Sequence, residues 1–376
     1  MNHETPALGV YIHIPFCRTR CPYCDFVSNA IHGDVPQNFV NALCEEIHTY
    51  SGPTATASIF LGGGTPSLLT PFDLEKIFEA LHAKFSFSDS EITLEANPDD
   101  VTFMLAQAWR DIGINRVSLG VQSFDDSTLQ YLGRRHNASK ALGAVEIVAA
   151  EFENWNMDLI FGAPLVEAWL STLETALRMQ PPHIAAYSLT YESSTPFGGR
   201  IEEALDDDQM LLLFKQSEEV LSAYDHYEIS NFARPGFQCR HNLLYWHNHE
   251  YAGFGPGAYS YIAGRRMRNM SGLQQYVDQP GCKSQIEELS RREQQIETLI
   301  QHFRLREGIA EKYYLERFGE DIDDVFGDPL KCLEKRGLLS RAEGYIFPTA
   351  QGFYLNNEIG MALVDMPETH RRRPSA

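Results

Sequence analysis

Three cysteines near the N-terminus have the spacing of an iron–sulfur ligand loop. Cys17, Cys21 and Cys24 follow an apolar run at residues 10–14 and form a C-x3-C-x2-C pattern. Thiolates are the usual ligands of [4Fe–4S] clusters, and three of them leave one iron without a protein ligand. Position 26, where a fourth cysteine could stand, is Phe26. The loop therefore predicts a cluster with one open iron, which can chelate a small molecule.

A zinc site or an ordinary reduced loop is the alternative interpretation of these cysteines. Structural zinc takes four ligands, usually as two separated pairs, and a second pair is missing here although His13 could serve. The remaining cysteines are scattered: Cys44, Cys239, Cys282 and Cys332. An odd total of 7 argues against a disulfide framework and favours a reducing compartment, so we expect a cytoplasmic protein.

Length and charge exclude several classes of function. The 376 residues are 43% apolar, enough for one large and one small domain, and the formal net charge is -20. Such an acidic surface repels phosphate backbones and anionic lipid, so we expect no nucleic-acid partner and at most peripheral membrane contact. The first nine residues lack the apolar core of a secretion signal, and no apolar run is long enough to span a bilayer. The basic tail at 371–373 is predicted to be disordered.

Short β-branched runs alternate with longer helical patterns over the first half of the chain. The runs are 10–14, 58–61, 91–95, 116–120, 157–160 and 184–189. Helical patterns cover 38–50, 71–83, 101–111, 126–150, 169–179 and 206–224, and another strand is predicted at 227–231. This alternation predicts an α/β fold with a parallel sheet, and six units favour a partial (β/α)6 barrel over a closed eight-fold one.

Polar residues and glycines stand where the predicted strands end. Barrels of this kind build their site at the C-terminal edge of the strands. Glycines at 62–64, followed by Thr65, let backbone approach a ligand, although they also suit a strand-to-helix turn. Carboxylate, amide and guanidinium groups at strand ends can hold hydroxyl or carboxylate groups of a ligand, although they can equally cap loops; they are Glu95, Gln122, Arg134 and Asp158.

Four strings together identify a family resemblance. They are YIHIPFC at 11–17, GGGTP at 62–66, VSLGVQSF at 117–124 and MDLIFG at 157–162. They resemble the radical SAM superfamily, and within it the oxygen-independent coproporphyrinogen III oxidase group. The resemblance implies a [4Fe–4S] cluster on the three cysteines and S-adenosylmethionine (SAM) held by Tyr11, Gly63, Gly64, Thr65, Glu95, Gln122, Arg134 and Asp158.

Two departures from the oxidase pattern point to a different branch. Phe26 replaces the fourth cysteine, and only nine residues precede Val10. Both features, and the string HNLLYW at 241–246, are similar to the HemW family of heme chaperones. That resemblance implies a protein that binds heme and transfers it to respiratory acceptor apoproteins, with cluster and SAM regulating or powering the transfer and a flavodoxin-like electron donor. The alternative is the oxidase activity, which decarboxylates coproporphyrinogen III, so the question of an enzyme stays open.

His241 is the heme ligand that the resemblance suggests. Neutral imidazole is a good axial ligand for heme iron, and the surrounding sequence is rich in aromatic residues. The alternative is that His241 fixes a loop against the barrel. His247, His249 and Cys239 are competing ligands.

The C-terminal part is predicted to be mostly helical. One amphipathic helix is expected at 284–306, and residues 331–364 resemble a winged-helix module. The acidic charge argues against DNA binding, so we expect a cover or a protein contact surface. The predicted domains are a radical SAM core at 1–235, a connecting segment at 236–283 and a C-terminal domain at 284–376.

Overall fold

The computed structural model describes residues 7–365. The prediction for the basic tail at 371–373, and most of the prediction for the N-terminal segment, lie outside the described residues. Within the described range, the helices are all too short or too polar to cross a membrane.

Parallel strands alternate with helices along the first part of the described chain. The strands are β1 Leu8–Ile14, β2 Thr56–Gly63, β3 Glu91–Ala96, β4 Arg116–Gln122, β5 Asn154–Phe161 and β6 His183–Ser188, each parallel to its neighbour. The helices between them are α1 Gln37–Thr49, α2 Pro71–Lys84, α3 Phe103–Ile112, α4 Asp126–Tyr131, α5 Ala138–Glu151 and α6 Glu167–Arg178. The predicted parallel α/β architecture is confirmed.

The sheet continues beyond these strands and stays open. After α7 Asp207–Val220 and β7 Asp225–Glu228 come β8 Asn231–Ala233, α8 Arg240–Trp246, β9 Tyr251–Phe254, β10 Tyr259–Ile262, β11 Arg265–Asn269, α9 Leu273–Asp278 and β12 Lys283–Glu288. Strand β9 lies parallel to β1 on its free side, and β8 lies antiparallel to β6. The order in the first unit is therefore β12-β11-β10-β9-β1-β2-β3-β4-β5-β6-β8, a partial barrel.

The predicted helix at 126–150 is wrong, because the chain breaks it into α4 and α5. Gly133 adopts a φ of 67°, and the Asn137 side chain accepts a hydrogen bond from the Lys140 amide to cap α5. Left-handed glycine and an Asn cap are ordinary ways to end one helix and start another. The break matters because Arg134 lies in the turn, at the C-terminal edge of the sheet.

The predicted helix at 284–306 is also wrong in its first half. Residues Lys283–Glu288 form β12, whose backbone pairs antiparallel with β11. The helix α10, Arg291–His302, begins after Ser290, whose side chain and that of Glu293 form a reciprocal capping box. A capping box fixes the start of a helix, so the amphipathic pattern does not extend back to Ser284.

The C-terminal part has its own core. Its elements after α10 are β13 Ile309–Ala310, α11 Glu311–Phe318, α12 Ile322–Lys335, β14 Leu339–Ala342, β15 Tyr345–Pro348, α13 Ala350–Tyr354 and α14 Asn356–Val364. Helices thus surround a small antiparallel sheet in the order β13-β15-β14, and Leu299, Phe303 and Phe326 are buried among them. The predicted C-terminal, mostly helical domain is confirmed.

The chain forms two compact units. The first runs to Asp225 and takes in Ser230–His241 and His249–Glu288; the second comprises His226–Ile229, Asn242–Asn248 and the chain from Leu289 onward. The domain boundaries at 235 and 283 stay a prediction.

Candidate functional site

The three cysteines of the loop lie just beyond β1. Cys17 ends a two-residue strand, Phe16–Cys17, and the amide of Cys24 donates to the carbonyl of Cys21 at 3.1 Å. All three side chains are partly buried. Burial raises the pKa of Cys17 and of Cys24, and the neighbouring thiols raise both further. Cys21 therefore lies close enough to Cys17 and Cys24 to raise the pKa of each.

The donor atoms of the loop are thiols, the usual ligands of an iron–sulfur cluster. Across residues 7–365 no group of three or more His, Cys, Asp or Glu side chains forms a site that could hold a metal ion. A structural zinc needs its sulfurs about 2.3 Å from one ion, whereas thiolates of a cubane bind different irons. Phe26, at the position of a fourth cysteine, is 60% exposed. The thiol donors fit a cubane, and ligation by Cys17, Cys21 and Cys24 stays a prediction.

Hydrogen bonds connect two of the thiols across the ends of the strands. Thr65 Oγ1 donates to Cys17 Sγ at 3.5 Å, and Asn97 Nδ2 donates to Thr65 Oγ1 at 3.1 Å. Arg134 Nη2 donates to Asn97 Oδ1, and its Nη1 donates to Cys21 Sγ at 3.4 Å. We call Cys17, Thr65, Asn97, Arg134 and Cys21 the thiol hydrogen-bond chain.

The fold explains why these five residues meet. Thr65 follows β2, Asn97 follows β3, and Arg134 lies in the turn between the two helices that follow β4. Neighbouring parallel strands place their carboxyl ends at the same edge, so residues far apart in sequence come together there. The predicted gathering of strand-end residues beside the cysteines is thus observed for Thr65 and Arg134.

The glycines at the end of β2 are required by close packing within the protein. Gly63 has a φ of 110°, and a Cβ there would lie 2.4 Å from the His13 ring. A Cβ on Gly64 would lie 2.6 Å from the carbonyl oxygen of Phe16. Since real Cβ atoms do not approach so closely, only glycine lets β2 lie against the start of the cysteine loop. Contact of Gly63 and Gly64 with SAM stays a prediction.

A pair of side chains on β1 fixes the far end of the cysteine loop. His13 Nε2 lies 2.7 Å from the carbonyl of Val27 and must donate to it, so Nδ1 accepts from the Tyr11 hydroxyl at 3.1 Å. Burial lowers the pKa of His13, consistent with this neutral imidazole. Tyr11 is thereby oriented in the interior of the barrel, where burial and the nearby Glu95 raise its pKa.

Two carboxyl groups lie in the interior of the barrel near this edge. Glu95 accepts from the Gly63 amide at 3.1 Å, and burial, helped by Asp158, raises its pKa to about 8. Asp158 accepts from Ser118 Oγ at 3.2 Å and from Asn156 Nδ2, yet burial still raises its pKa to about 6. Burial disfavours the charged form of each group, and a cationic ligand beside them would stabilise the carboxylate form.

Gln122 has a strained backbone at the end of β4. Its φ is 67°, a left-handed value that is uncommon for residues other than glycine, and the register of β4 against β5 shifts just before it. Its buried side chain accepts from the Tyr187 hydroxyl at 2.9 Å. Backbone strain of this kind is frequent at functional sites, and contact of Gln122 with SAM stays a prediction.

His241 lies at the opposite edge of the sheet. Its Nδ1 is 2.7 Å from Ser58 Oγ, its backbone amide donates to Glu91, and its ring stacks on Phe60 at 5.1 Å. Ser58 is near the start of β2, roughly 16 Å along the strand from Gly63 at 3.3 Å per residue. The structure therefore does not bring His241 to the cysteines.

The His241 side chain is also inaccessible in this conformation. It is 1% exposed, and burial, together with the charge of Arg116, lowers its pKa to about 3. His247 is more accessible, with 29% of its side chain exposed and Nε2 3.2 Å from a Glu307 oxygen. Cys239 is buried, with Sγ 3.6 Å from Glu91. Heme ligation by His241 stays a prediction that requires the imidazole to leave its packing.

Sequence reasoning did not assign several residues of this interior. Asn97, in the turn after β3, and Tyr187 were not singled out. Polar residues recur every second position within β4 and β5, namely Arg116, Ser118, Asn156 and Asp158. Alternate residues of a strand share one face, so this period of two could have identified a polar barrel interior.

Comparisons with known proteins agree with this geometry. The Radical SAM superfamily matches residues 11–174, and the HemN C-terminal domain matches residues 289–355. A heme chaperone HemW from Bacillus subtilis is 34% identical over 369 residues, covering 93% of this chain and 97% of that protein. A HemW from Synechocystis is 40% identical, covering 80% and 79%. HemW of Escherichia coli is 39% identical, covering 69% and 71%.

One solved structure matches nearly the whole fold. It is coproporphyrinogen III oxidase (HemN) from Escherichia coli, described as a radical SAM enzyme, with a TM-score of 0.81, 22% identity and coverage of 96% and 90%. At this identity the likeness concerns the fold. Membership of the superfamily implies a [4Fe–4S] cluster and SAM. Identity to HemW proteins extends across both compact units, and the chain therefore belongs to the HemW heme chaperone family of radical SAM proteins.

Proposed function

We propose that this protein binds heme and hands it to acceptor apoproteins of the respiratory chain, with a [4Fe–4S] cluster and SAM bound in the barrel. The observation that carries the proposal is the thiol hydrogen-bond chain in a member of the HemW family. It ties two thiols of a three-cysteine loop to residues at the ends of β2, β3 and the turn after β4. A cytoplasmic location is part of the proposal, because exposed iron–sulfur thiolates need a reducing compartment.

Each residue at this edge has a role in the proposal. Cys17, Cys21 and Cys24 would hold the cluster, which when bound supplies a single electron and an open iron for the SAM amino and carboxylate groups. The residues that would position SAM are Tyr11, Gly63, Gly64, Thr65, Glu95, Gln122, Arg134 and Asp158. The guanidinium and carboxyl groups would offer charges complementary to those of SAM. A one-electron donor such as a flavodoxin would supply the reducing electron.

The heme part of the proposal rests on family membership. Its ligand would be His241, which the folded protein packs against Ser58 and Phe60. Heme binding and this packing exclude each other, because the imidazole cannot reach iron while it is 1% exposed. Heme uptake would therefore be coupled to release of the start of α8 from the strands.

Coproporphyrinogen III oxidation is the rival function, and one anaerobic experiment separates the two. Reconstituted protein with SAM and a reductant is incubated in parallel with heme and with coproporphyrinogen III. We expect stoichiometric heme uptake by absorption spectroscopy, transfer of that heme to an apocytochrome, and no protoporphyrinogen. Formation of protoporphyrinogen would contradict the chaperone proposal. The same incubations are made with Cys24→Ser, which lacks one proposed cluster ligand. Cys282→Ser, which changes an exposed cysteine outside the loop, is its control.

A pair of histidine variants tests the heme ligand. We expect His241→Ala to lower the free energy of unfolding by about 2–3 kcal/mol, because a buried ring and its hydrogen bond are lost. It should also abolish the imidazole signature in the absorption spectrum of bound heme. His247→Ala, from the same segment but 29% exposed, should keep that signature. If His247→Ala loses the signature and His241→Ala keeps it, the heme ligand is His247 instead.

SAM binding should release a proton from Glu95. Its pKa is about 8 without ligand, so the group is mostly protonated at pH 6–7. The sulfonium charge of SAM would favour the carboxylate and lower that pKa. SAM affinity should therefore rise as the pH increases from 6 to 8 and then level off.

Calorimetry in two buffers of different ionisation enthalpy measures the released proton directly. Glu95→Gln should reduce the number of protons released and weaken the pH dependence. Glu45→Gln, on the exposed face of α1, is the matched control. Proton release unchanged in Glu95→Gln would show that another group is responsible.

A further inference from the structure

We propose that Thr65 and Arg134 act as hydrogen-bond donors to the cluster thiolates, and that Asn97 is the positioning residue that controls both donors and so sets the reduction potential of the cluster. The inference rests on the proposed function, because it requires a cluster on Cys17 and Cys21. Asn97 belongs to no motif that the sequence singled out for ligand binding, and its role follows from its two side-chain contacts.

The Asn97 amide has an orientation that its neighbours determine. Arg134 can only donate hydrogen bonds, so its Nη2 must face Asn97 Oδ1. Asn97 Nδ2 is then the atom directed at Thr65 Oγ1, 3.1 Å away. Because the Thr65 oxygen accepts this bond, its own hydrogen is available for Cys17 Sγ at 3.5 Å. One amide thus directs a donor at each of two thiolates.

The guanidinium of Arg134 is committed to the protein at both terminal nitrogens. Nη1 donates to Cys21 Sγ at 3.4 Å, while Nη2 donates to Asn97 and to the Gly120 carbonyl at 3.0 Å. Two anchors on Nη2 fix the plane of the group, and this aims Nη1 at the sulfur. Loss of the Asn97 anchor would remove one of the two bonds of Nη2 and leave the Gly120 carbonyl and a hydrogen bond with the Tyr23 side chain to hold the group, so the donor to Cys21 would weaken.

Donors to sulfur change the energy of the reduced cluster. The reduced form carries one more negative charge, and hydrogen bonds to ligand sulfurs stabilise that charge and raise the potential. The effect is stronger where water is excluded, since Coulomb interactions grow as the dielectric constant falls. The partly buried loop and the buried Thr65 provide such surroundings.

A purely local role for Asn97 is the competing explanation. The turn after β3 is held by backbone groups of Asn97, whose amide donates to Ser67 Oγ at 3.3 Å and whose carbonyl accepts from Asp100 at 3.0 Å. Neither bond uses the Asn97 side chain. Asn97→Ala should therefore keep the turn while it removes the link between Thr65 and Arg134.

The test is the midpoint potential of the cluster, followed by electron paramagnetic resonance during a dye-mediated titration of the full-length protein without SAM. We expect Asn97→Ala to have the iron content of the unmodified protein and a midpoint shifted to lower potential. Thr65→Val, which removes the hydroxyl and with it the donor to Cys17 and the acceptor for Asn97, should shift it in the same direction by less. Thr65→Ser, which keeps the hydroxyl, should have the midpoint of the unmodified protein. Arg135→Ala is the matched control, because this neighbouring guanidinium is half exposed and pairs with Asp99.

The outcomes separate this inference from the proposed function. An unmodified protein that cannot assemble a [4Fe–4S] cluster would overturn the proposed function itself. If Asn97→Ala assembles a normal cluster with an unchanged midpoint, the inference is overturned. If that variant also binds SAM more weakly, Asn97 is assigned to the nucleotide instead. If Asn97→Ala assembles no cluster, the midpoint potentials of Thr65→Val and Thr65→Ser are compared instead. Equal midpoint potentials overturn the inference, and a lower midpoint potential in Thr65→Val supports it.

Discussion

The constraint on which the site depends is the common edge at which the parallel strands end. β2, β3 and β4 lie side by side in one direction, so Thr65, Asn97 and the turn carrying Arg134 meet although they are separated by tens of residues. Hydrogen bonds from Thr65 and Arg134 then reach Cys17 and Cys21. A short cysteine-rich loop has little structure of its own, and these long-range contacts fix its position on the barrel.

The barrel interior uses burial to control charge. Glu95 and Asp158 share a poorly solvated space, which raises the pKa of each, while His13 stays neutral and fixes Tyr11 by a hydrogen bond. A protonated Glu95 avoids the cost of two adjacent buried anions, and a cationic ligand can convert it to a carboxylate. This acidic interior is thus suited to the sulfonium group of SAM.

Much of this architecture is predictable from local patterns, because strand periodicity, cysteine spacing and strand-end residues are properties of short segments. The break between α4 and α5 was missed, although Gly133 and Asn137 signal it, because the turn between the two helical patterns is only a few residues long. β12 was taken for helix because edge-strand pairing depends on β11. The burial of His241 could not be predicted, since Ser58 and Glu91 lie some 150 residues or more away in sequence.

The central claim is that three thiols hold a cluster whose fourth iron is left for SAM. It is tested most directly by recording the electron paramagnetic resonance spectrum of the reduced, reconstituted protein before and after SAM is added, with SAM labelled by nitrogen-15 at its amino group. The account predicts a change in the g-values on SAM addition and a hyperfine coupling to the labelled nitrogen. An unchanged spectrum with SAM demonstrably bound would contradict it.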